Sequence, residues 1–340
     1  MSYWNPLVTI RPNKVEPLGE VQISDASEQK RYRMRKQDLL DALFSDKGLG
    51  KKQLEALTAL DLIGPTAESK TASATGSLNH WKERNWALAL SYYHWSIRDT
   101  FLDEGENYED LRCNALKQML VDKELPLPEL VDASENSFIG APAPIPPKCN
   151  VGDVLASRKT TLSMTSNGEL TSEILHGLLA NGFSVSRRYH VPDVEEHIHN
   201  ILHGVGFAFD PYIAIFDVPG LEAGIYFYSI SQDRLRLNRS GLFRQEICKG
   251  LIGHEQALTA ACTILLTADF RRFQWRYRHE RALRNLYFDV GRMAQYLLVI
   301  ATAYGVKTHI TPATVDDYLA DILGLDRDAQ QVFHTVTLGF

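Results

Sequence analysis

Cysteine is scarce in this chain of 340 residues. Cys113, Cys149, Cys248 and Cys262 form no CxxC pair, which argues against a zinc knuckle or a disulfide framework and makes a reduced, cytoplasmic setting the expectation. Long apolar runs are missing: none approaches the ~18 residues of a membrane span. The first residues, MSYWNPLVTIRPNK, lack the charged and apolar regions of a secretion signal. Positive charge is not in excess either. The formal net charge of -6 argues against a general nucleic-acid binder, and the local basic run KRYRMRK, Lys30 to Lys36, reads as one solvated helix face.

What is present is an ordinary globular composition, 44% hydrophobic, at a length that suits about two domains. Residues 1 to about 30 read as an extended strand or arm. From Arg31 a helical pattern is expected, with Leu39, Leu40, Leu43 and Phe44 on one face, followed by a second helix through Leu54, Leu57 and Leu60. An aromatic run from Trp81 to Trp95 adds a further helix with a core-packing or peptide-contacting face. We therefore expect a mostly helical N-terminal module over residues 1–140, winged-helix-like or peptide-docking. The stiff, proline-rich run IGAPAPIPPK marks a linker over 141–150, and a second domain spans 151–340.

In that second domain Thr171 is placed to cap a helix through Ile174, Leu175, Leu178 and Leu179 that stops at Asn181 and Gly182. Gly224 to Gly241 reads as a hairpin turning at Ser231-Gln232-Asp233. Thr311 and Pro312 are expected to open a late helix, and Val332 to Leu338 to form a strand. The longest helical pattern is Arg281 to Gly305. Leu283, Tyr287, Val290, Ala294, Leu297, Ala301 and Tyr304 recur at helical spacing, while Leu298, Val299 and Ile300 extend the apolar surface, so burial on nearly all faces is expected. Gly291 and Gln295 stand out in it. A glycine costs a helix interior about 1 kcal/mol and a buried amide needs partners, so another backbone or a ligand is expected close by.

Three further sets bear on chemistry. Arg158, Lys159 and Thr160 combine two cations with a hydroxyl, which can hold a phosphate; a solvated basic loop reads the same way. Glu195, His199 and His203 align at helical spacing, but no downstream ligand of matching spacing follows, so no metal site is expected. Finally, Phe273 to Glu280 leads into the long helix with Arg276 and Tyr277 at its centre.

The order LASRKTTLS, LTSEILHGLL, VPGLEAGIYFYSISQDRLRL, then Arg284, Asp289, Gly291 and Gln295 spaced as RxxxxDxGxxxQ, resembles the SagB-type azoline dehydrogenases of the FMN-dependent nitroreductase superfamily over roughly Val151 to Phe340. That resemblance implies an α+β fold, a mixed sheet with helices around a central buried helix, and a dimer with FMN at the subunit interface. It implies Arg158, Lys159 and Thr160 at the flavin phosphate and ribityl chain, Gly204 and Gly206 beside the flavin, and Arg284 and Gln295 facing the flavin or the opposing subunit. The chain departs from the pattern in places. Leu162 stands where a further Arg is often found, and His203-Gly204-Val205-Gly206 keeps two glycines of a Pro-Ser-Gly-Gly-like loop. Arg276-Tyr277 falls on a catalytic Lys-Tyr pair. Arginine cannot act as a base, so Tyr277 becomes the candidate base and Arg276 an anion stabiliser.

The implied reaction is FMN-dependent oxidation of a thiazoline or oxazoline to the azole in a ribosomally made peptide, with the precursor peptide and a cyclodehydratase or related subunit as partners. Two alternatives stay open. One is a noncatalytic or half-active subunit of a heteromeric peptide-modifying complex; the other is a sensor whose N-terminal helices bind nucleic acid.

Overall fold

The computed structural model describes residues 8–12, 20–25, 30–35, 37–38, 55, 81, 84–97, 107–120, 138–139, 149–187, 208–277 and 279–340. Two units emerge, Met1–Phe101 and Leu102–Phe340. In the first, β1 (Val8–Pro12), β2 (Glu20–Asp25) and β3 (Lys30–Arg35) pair antiparallel in that order. The run expected as a helix face is thus a strand. Its period is two: Tyr32 and Met34 are half-buried opposite Ile23 and Val21, while Arg33 and Arg35 are exposed, and four basic side chains had masked the alternation. Helix α1 (Ala87–Ser96) follows. Trp81 stacks on Tyr93 at 5.9 Å and meets Trp86 edge-on at 5.8 Å, and both partners are exposed, so of the two faces expected the core-packing one does not hold at Trp86 and Tyr93. The helix expected through Leu54, Leu57 and Leu60 and the face through Leu39 to Phe44 lie outside the described residues.

The second unit holds α2 (Tyr108–Leu120), β4 (Phe138–Ile139), α3 (Val151–Ser157), α4 (Ser172–Gly182) and the short α5 (Ser184–Arg187). Then come β5 (Phe209–Ile215), β6 (Gly224–Ser229), β7 (Arg234–Ser240), α6 (Arg244–Gly250), α7 (Gln256–Thr259) and β8 (Cys262–Asp269). Last are α8 (Phe270–Arg276), α9 (Ala282–Ala303), β9 (Lys307–Thr311), α10 (Asp316–Leu323) and β10 (Gln330–Gly339). Seven strands form one sheet in the order β4-β7-β6-β5-β8-β10-β9. Every ladder is antiparallel; among the described residues the parallel component of the expected mixed sheet is the isolated bridge Thr160–Thr308. Because β4 pairs with β7, the sheet reaches back across the proline-rich run.

Both sheet faces are covered. β5, β6 and β8 are buried throughout, as strands flanked by helices must be. One face sends Phe209, Ile213, Tyr226, Tyr228, Ile264 and Leu266 against α4 and α9, while the other sends Tyr212, Phe227 and Leu265 against α6 and α10. In β10 the register shifts between Val332 and His334. The extra residue flips the alternation, so that Val332 faces the second cluster while Val336, four positions on, faces the first. Thr171 caps α4 as expected, its hydroxyl accepting from the Ile174 N–H. Gly182 then lets α4 meet α9, since a Cβ there would lie 2.6 Å from Leu297 Cδ2. Helix α10 starts at Asp316 rather than Thr311, because Thr311 still belongs to β9 and its hydroxyl accepts from Ala313 N–H to make a turn first. It ends at Gly324, whose φ of 72° is the left-handed cap.

The expected burial of α9 on nearly all faces is corrected. Leu286, Val290, Met293, Ala294, Leu297 and Ala301 face the core, whereas Leu283, Tyr287, Phe288 and Tyr296 are exposed together with Gly291 and Gln295. Its outer face is apolar but borders no other part of the described chain closely at Gly291, where an added Cβ would meet nothing within 4 Å. Among the described residues no helix is long and apolar enough to cross a membrane.

Candidate functional site

The phosphate-like donor set sits where α3 gives way to the sheet. Asn150 caps α3, accepting from the Gly152 N–H at 2.8 Å, and Arg158 closes it with an N–H to Val154 O at 3.0 Å. A cation at a helix C-terminus is favourable in its own right. The chain then runs extended along the edge strand β9, with Thr160 bridged to Thr308 and the Thr161 N–H donating to Thr308 O at 2.8 Å. Arg158 is half-buried, while Lys159 and Thr160 are exposed, so two cations and a hydroxyl are presented along one edge. Leu162 points outward and is 77% exposed, held by its carbonyl, which accepts from Gln256 Nε2 at 3.1 Å. α3 packs against α9, tying this edge to the long helix.

Arg276 and Tyr277 close α8, whose N-terminus is capped by Asp269 accepting from the Arg271 and Arg272 N–H groups at 2.7 and 3.1 Å. The Arg276 guanidinium lies 4.5 Å over the Tyr277 ring, which itself packs 4.8 Å from Phe273 and meets His279 edge-on at 6.3 Å. Both residues are half-buried. Across from them on α9 the structure adds Asp289. Burial pushes its carboxyl up to about 6, against the opposing pull of Arg292 and Arg276. The sequence placed Asp289 in a motif and gave it no part; its place at the edge of the buried helix face raises the carboxyl although two arginines pull the other way.

Arg284 and Gln295 share the outer face of α9. They are eleven residues apart, about 16 Å along the axis, so they do not meet at one point. Gln295 is exposed rather than the buried amide expected. Gly204 and Gly206, with His203, lie outside the described residues, as do His199 and the rest of that helical pattern. Among the described residues there is no cluster of three or more His, Cys, Asp or Glu able to hold a metal ion.

A second charged cluster was not foreseen. Arg272, fully buried, pairs with Asp210, which also accepts from Gln330 Nε2 at 2.9 Å, and the Arg272 Nε lies 3.9 Å from Asp269. Burial raises Asp210 more than Arg272 lowers it. The cluster joins β5, β8, α8 and β10 immediately below Arg276 and so fixes the start of the helix that carries it.

These features have relatives. The Nitroreductase family profile matches residues 235–340, from β7 to the last residue. Over a longer stretch it is similar to the trifolitoxin operon protein TfxC of Rhizobium leguminosarum bv. trifolii, 24% identical over 314 residues, covering 88% of this chain and 84% of TfxC. A nitroreductase-like crystal structure from Anabaena variabilis aligns at 28% identity with a TM-score of 0.46, covering 56% of this chain, which spans only 37% of that one. One chain of the E. coli microcin synthetase McbBCD complex, with truncated pro-MccB17 bound, aligns at 16% identity and a TM-score of 0.43, covering 71% of this chain and 84% of that chain. Both overlays are too loose to assign a function.

Proposed function

We propose that this chain is an FMN-dependent oxidoreductase of the SagB type, which oxidises azoline rings to azoles in a ribosomally made peptide. The observation that carries the reading is the cluster of Arg276, Tyr277 and Asp289 on a nitroreductase-family domain. The donors at Arg158 to Thr160 fit the cofactor chemically: a phosphate wants two cations and a hydroxyl on an accessible edge, and that is what the edge beside β9 offers. FMN, when bound, supplies a two-electron acceptor. Tyr277 takes the ring proton as the hydride departs from the neighbouring carbon, and Arg276 favours the phenolate that does so. Loss of one proton to Tyr277 and one hydride to that acceptor would turn the azoline into the azole, with dioxygen as the final oxidant.

The exposed face of α9 supports a two-copy assembly. Phe288 at 66% and Tyr287 at 58% exposure flank Gly291, and a second copy laid along this face would cover them and bring Gln295 and Arg284 to the seam. The likeness to TfxC, named for the trifolitoxin operon, supports a part in making a toxin; the partners this reading calls for are a precursor peptide and a cyclodehydratase or related subunit. Arg276 in the place of a lysine favours one second reading, a half-active subunit whose site is completed by a partner. The test is flavin retention: protein loaded with excess FMN keeps flavin absorbance through gel filtration, and Arg158→Ala with Lys159→Ala loses it. A colourless protein, alone and with its partner subunit, refutes the cofactor.

A further inference from the structure

Two buried polar atoms near the β9 edge of the sheet have no hydrogen-bond partner, and they stand with a pair of histidines. They are His309 Nδ1 and Gln256 Oε1. A buried polar atom left unpaired is costly, so each calls for an occupant. His309 lies on the edge strand β9 and is 5% exposed. Because its neighbour Ile310 packs on the core that α4 and α9 cover, His309 takes the other face, which Ala257 of α7 also borders. His254 reaches the same face from the turn between α6 and α7. Ile252 and Gly253 in that turn have φ of 56° and 78°, and two successive left-handed residues, one of them β-branched, make a strained way to deliver a side chain. The turn closes with the His254 N–H on Leu251 O at 3.2 Å and leaves the His254 ring 5.2 Å from that of His309, tilted by 47°.

That spacing has a chemical meaning. Two imidazoles on one tetrahedral zinc, with Zn–N of about 2.0–2.1 Å, have ring centroids about 5 Å apart. Gln256, two residues after His254, is fixed by its Nε2 donating to Leu162 O at 3.1 Å, on the segment whose Thr161 N–H donates to Thr308 O at 2.8 Å. Its amide is therefore tethered beside the strand that carries His309, with Oε1 the atom not in use. We propose that His309 Nδ1, a ring nitrogen of His254 and Gln256 Oε1 form a site for a divalent transition ion of the zinc class, which pins the α6–α7 turn to β9. Two neutral imidazoles and an amide oxygen give three donors, and water completes the open four-coordinate arrangement that zinc accepts. Imidazole favours zinc, copper or nickel over magnesium and calcium, which take oxygen ligands. With an amide oxygen as third donor, the site differs from the clusters of three His, Cys, Asp or Glu that the described residues lack. Tyr277 packs on the opposite core, so the ion stands apart from the flavin chemistry proposed above.

The test uses the full chain, stripped with a chelator and dialysed, with zinc chloride as the probe. Equilibrium dialysis is expected to give one zinc per chain, and the unfolding midpoint to rise by about 5–10 °C at roughly a hundredfold excess over the dissociation constant. His254→Ala, a change at a half-buried turn position, weakens binding by about tenfold or more, the loss that even an outer-shell partner of a metal brings, and removes the midpoint shift. Gln256→Glu, which puts a carboxylate in place of the amide, strengthens binding. Wild-type protein that takes up no stoichiometric zinc overturns the proposal. So does a His254→Ala variant that binds as tightly as wild type, because the zinc then sits on other groups such as the cysteine thiols. Should His254→Ala fail to fold, Gln256→Glu decides, and an affinity that is unchanged or weaker overturns the site. Neither flavin nor peptide enters the assay, so the result stands whatever becomes of the functional reading.

Discussion

Replacing Arg272 by methionine tests the electrostatic base of the site most severely. The wild-type guanidinium is fully buried, paired with Asp210 and 3.9 Å from Asp269, while Gln330 donates to the same Asp210 oxygen at 2.9 Å. Methionine fills much of the volume, so the loss is chiefly that of a counter-charge for two buried carboxylates. Breaking a buried pair from one side costs about 3–5 kcal/mol. For a unit of this size each kcal/mol moves the midpoint by roughly 2–4 °C, so a fall of about 6–20 °C is expected. The deficit depends on pH. Burial already raises Asp210 in the folded chain above its unfolded value, and removing Arg272 raises it further. A raised carboxyl contributes stability below its unfolded value and loses it as pH rises through the folded one, so the variant is least impaired in acid and most impaired near neutrality. Urea unfolding at several pH values measures this. Adding Asp210→Asn to the variant recovers part of the loss. A deficit under about 1 kcal/mol at neutral pH, or one that grows toward acid, refutes a dry ion pair at this position.

Other perturbations have defined outcomes. His309 is buried on β9 with its ring 5.2 Å from that of His254, and burial followed by the His254 charge lowers its proton affinity. Its share of stability is full above the ordinary histidine value of about 6.5 and is lost as pH falls through it, so His309→Gln flattens the acid side of a stability profile measured by denaturant melts. Gly182→Ala forces Leu297 aside and costs about 1–3 kcal/mol by overpacking, read as a lower unfolding midpoint. Gly291→Ala meets nothing within 4 Å and adds about 0.5–1 kcal/mol to the folded chain by helix propensity. If α9 is a seam between copies, Phe288→Asp shifts gel-filtration size from dimer to monomer with the circular dichroism unchanged.

The sequence was most legible where local chemistry and tertiary burial agree. Thr171 has the hydroxyl its helix needs, the Gly224 to Gly241 hairpin has its turn residues, and the strands with unbroken Ile, Leu, Phe and Tyr are the ones covered on both faces. Legibility failed where side-chain type hid the period. In Lys30–Arg35 four basic residues concealed an alternation that Tyr32 and Met34 carry. In α9 Leu283 and Tyr287 read as core by helical spacing, although both are exposed and Tyr287 meets only the edge of Phe333. Of the candidate site, Arg276 and Tyr277 adjoin in sequence and in space. Asp289 and the Asp210–Arg272 pair were not legible in the sequence, since each depends on partners 13 or 62 positions away that only the sheet and the α8–α9 turn bring near.

The reaction itself is the most direct test. A precursor peptide already bearing azoline rings, incubated with FMN-loaded protein and followed by mass spectrometry, is expected to lose one pair of hydrogens for each ring, with the loss abolished in Tyr277→Phe. Flavin-loaded protein that leaves every ring intact, even with the cyclodehydratase partner present, would contradict it.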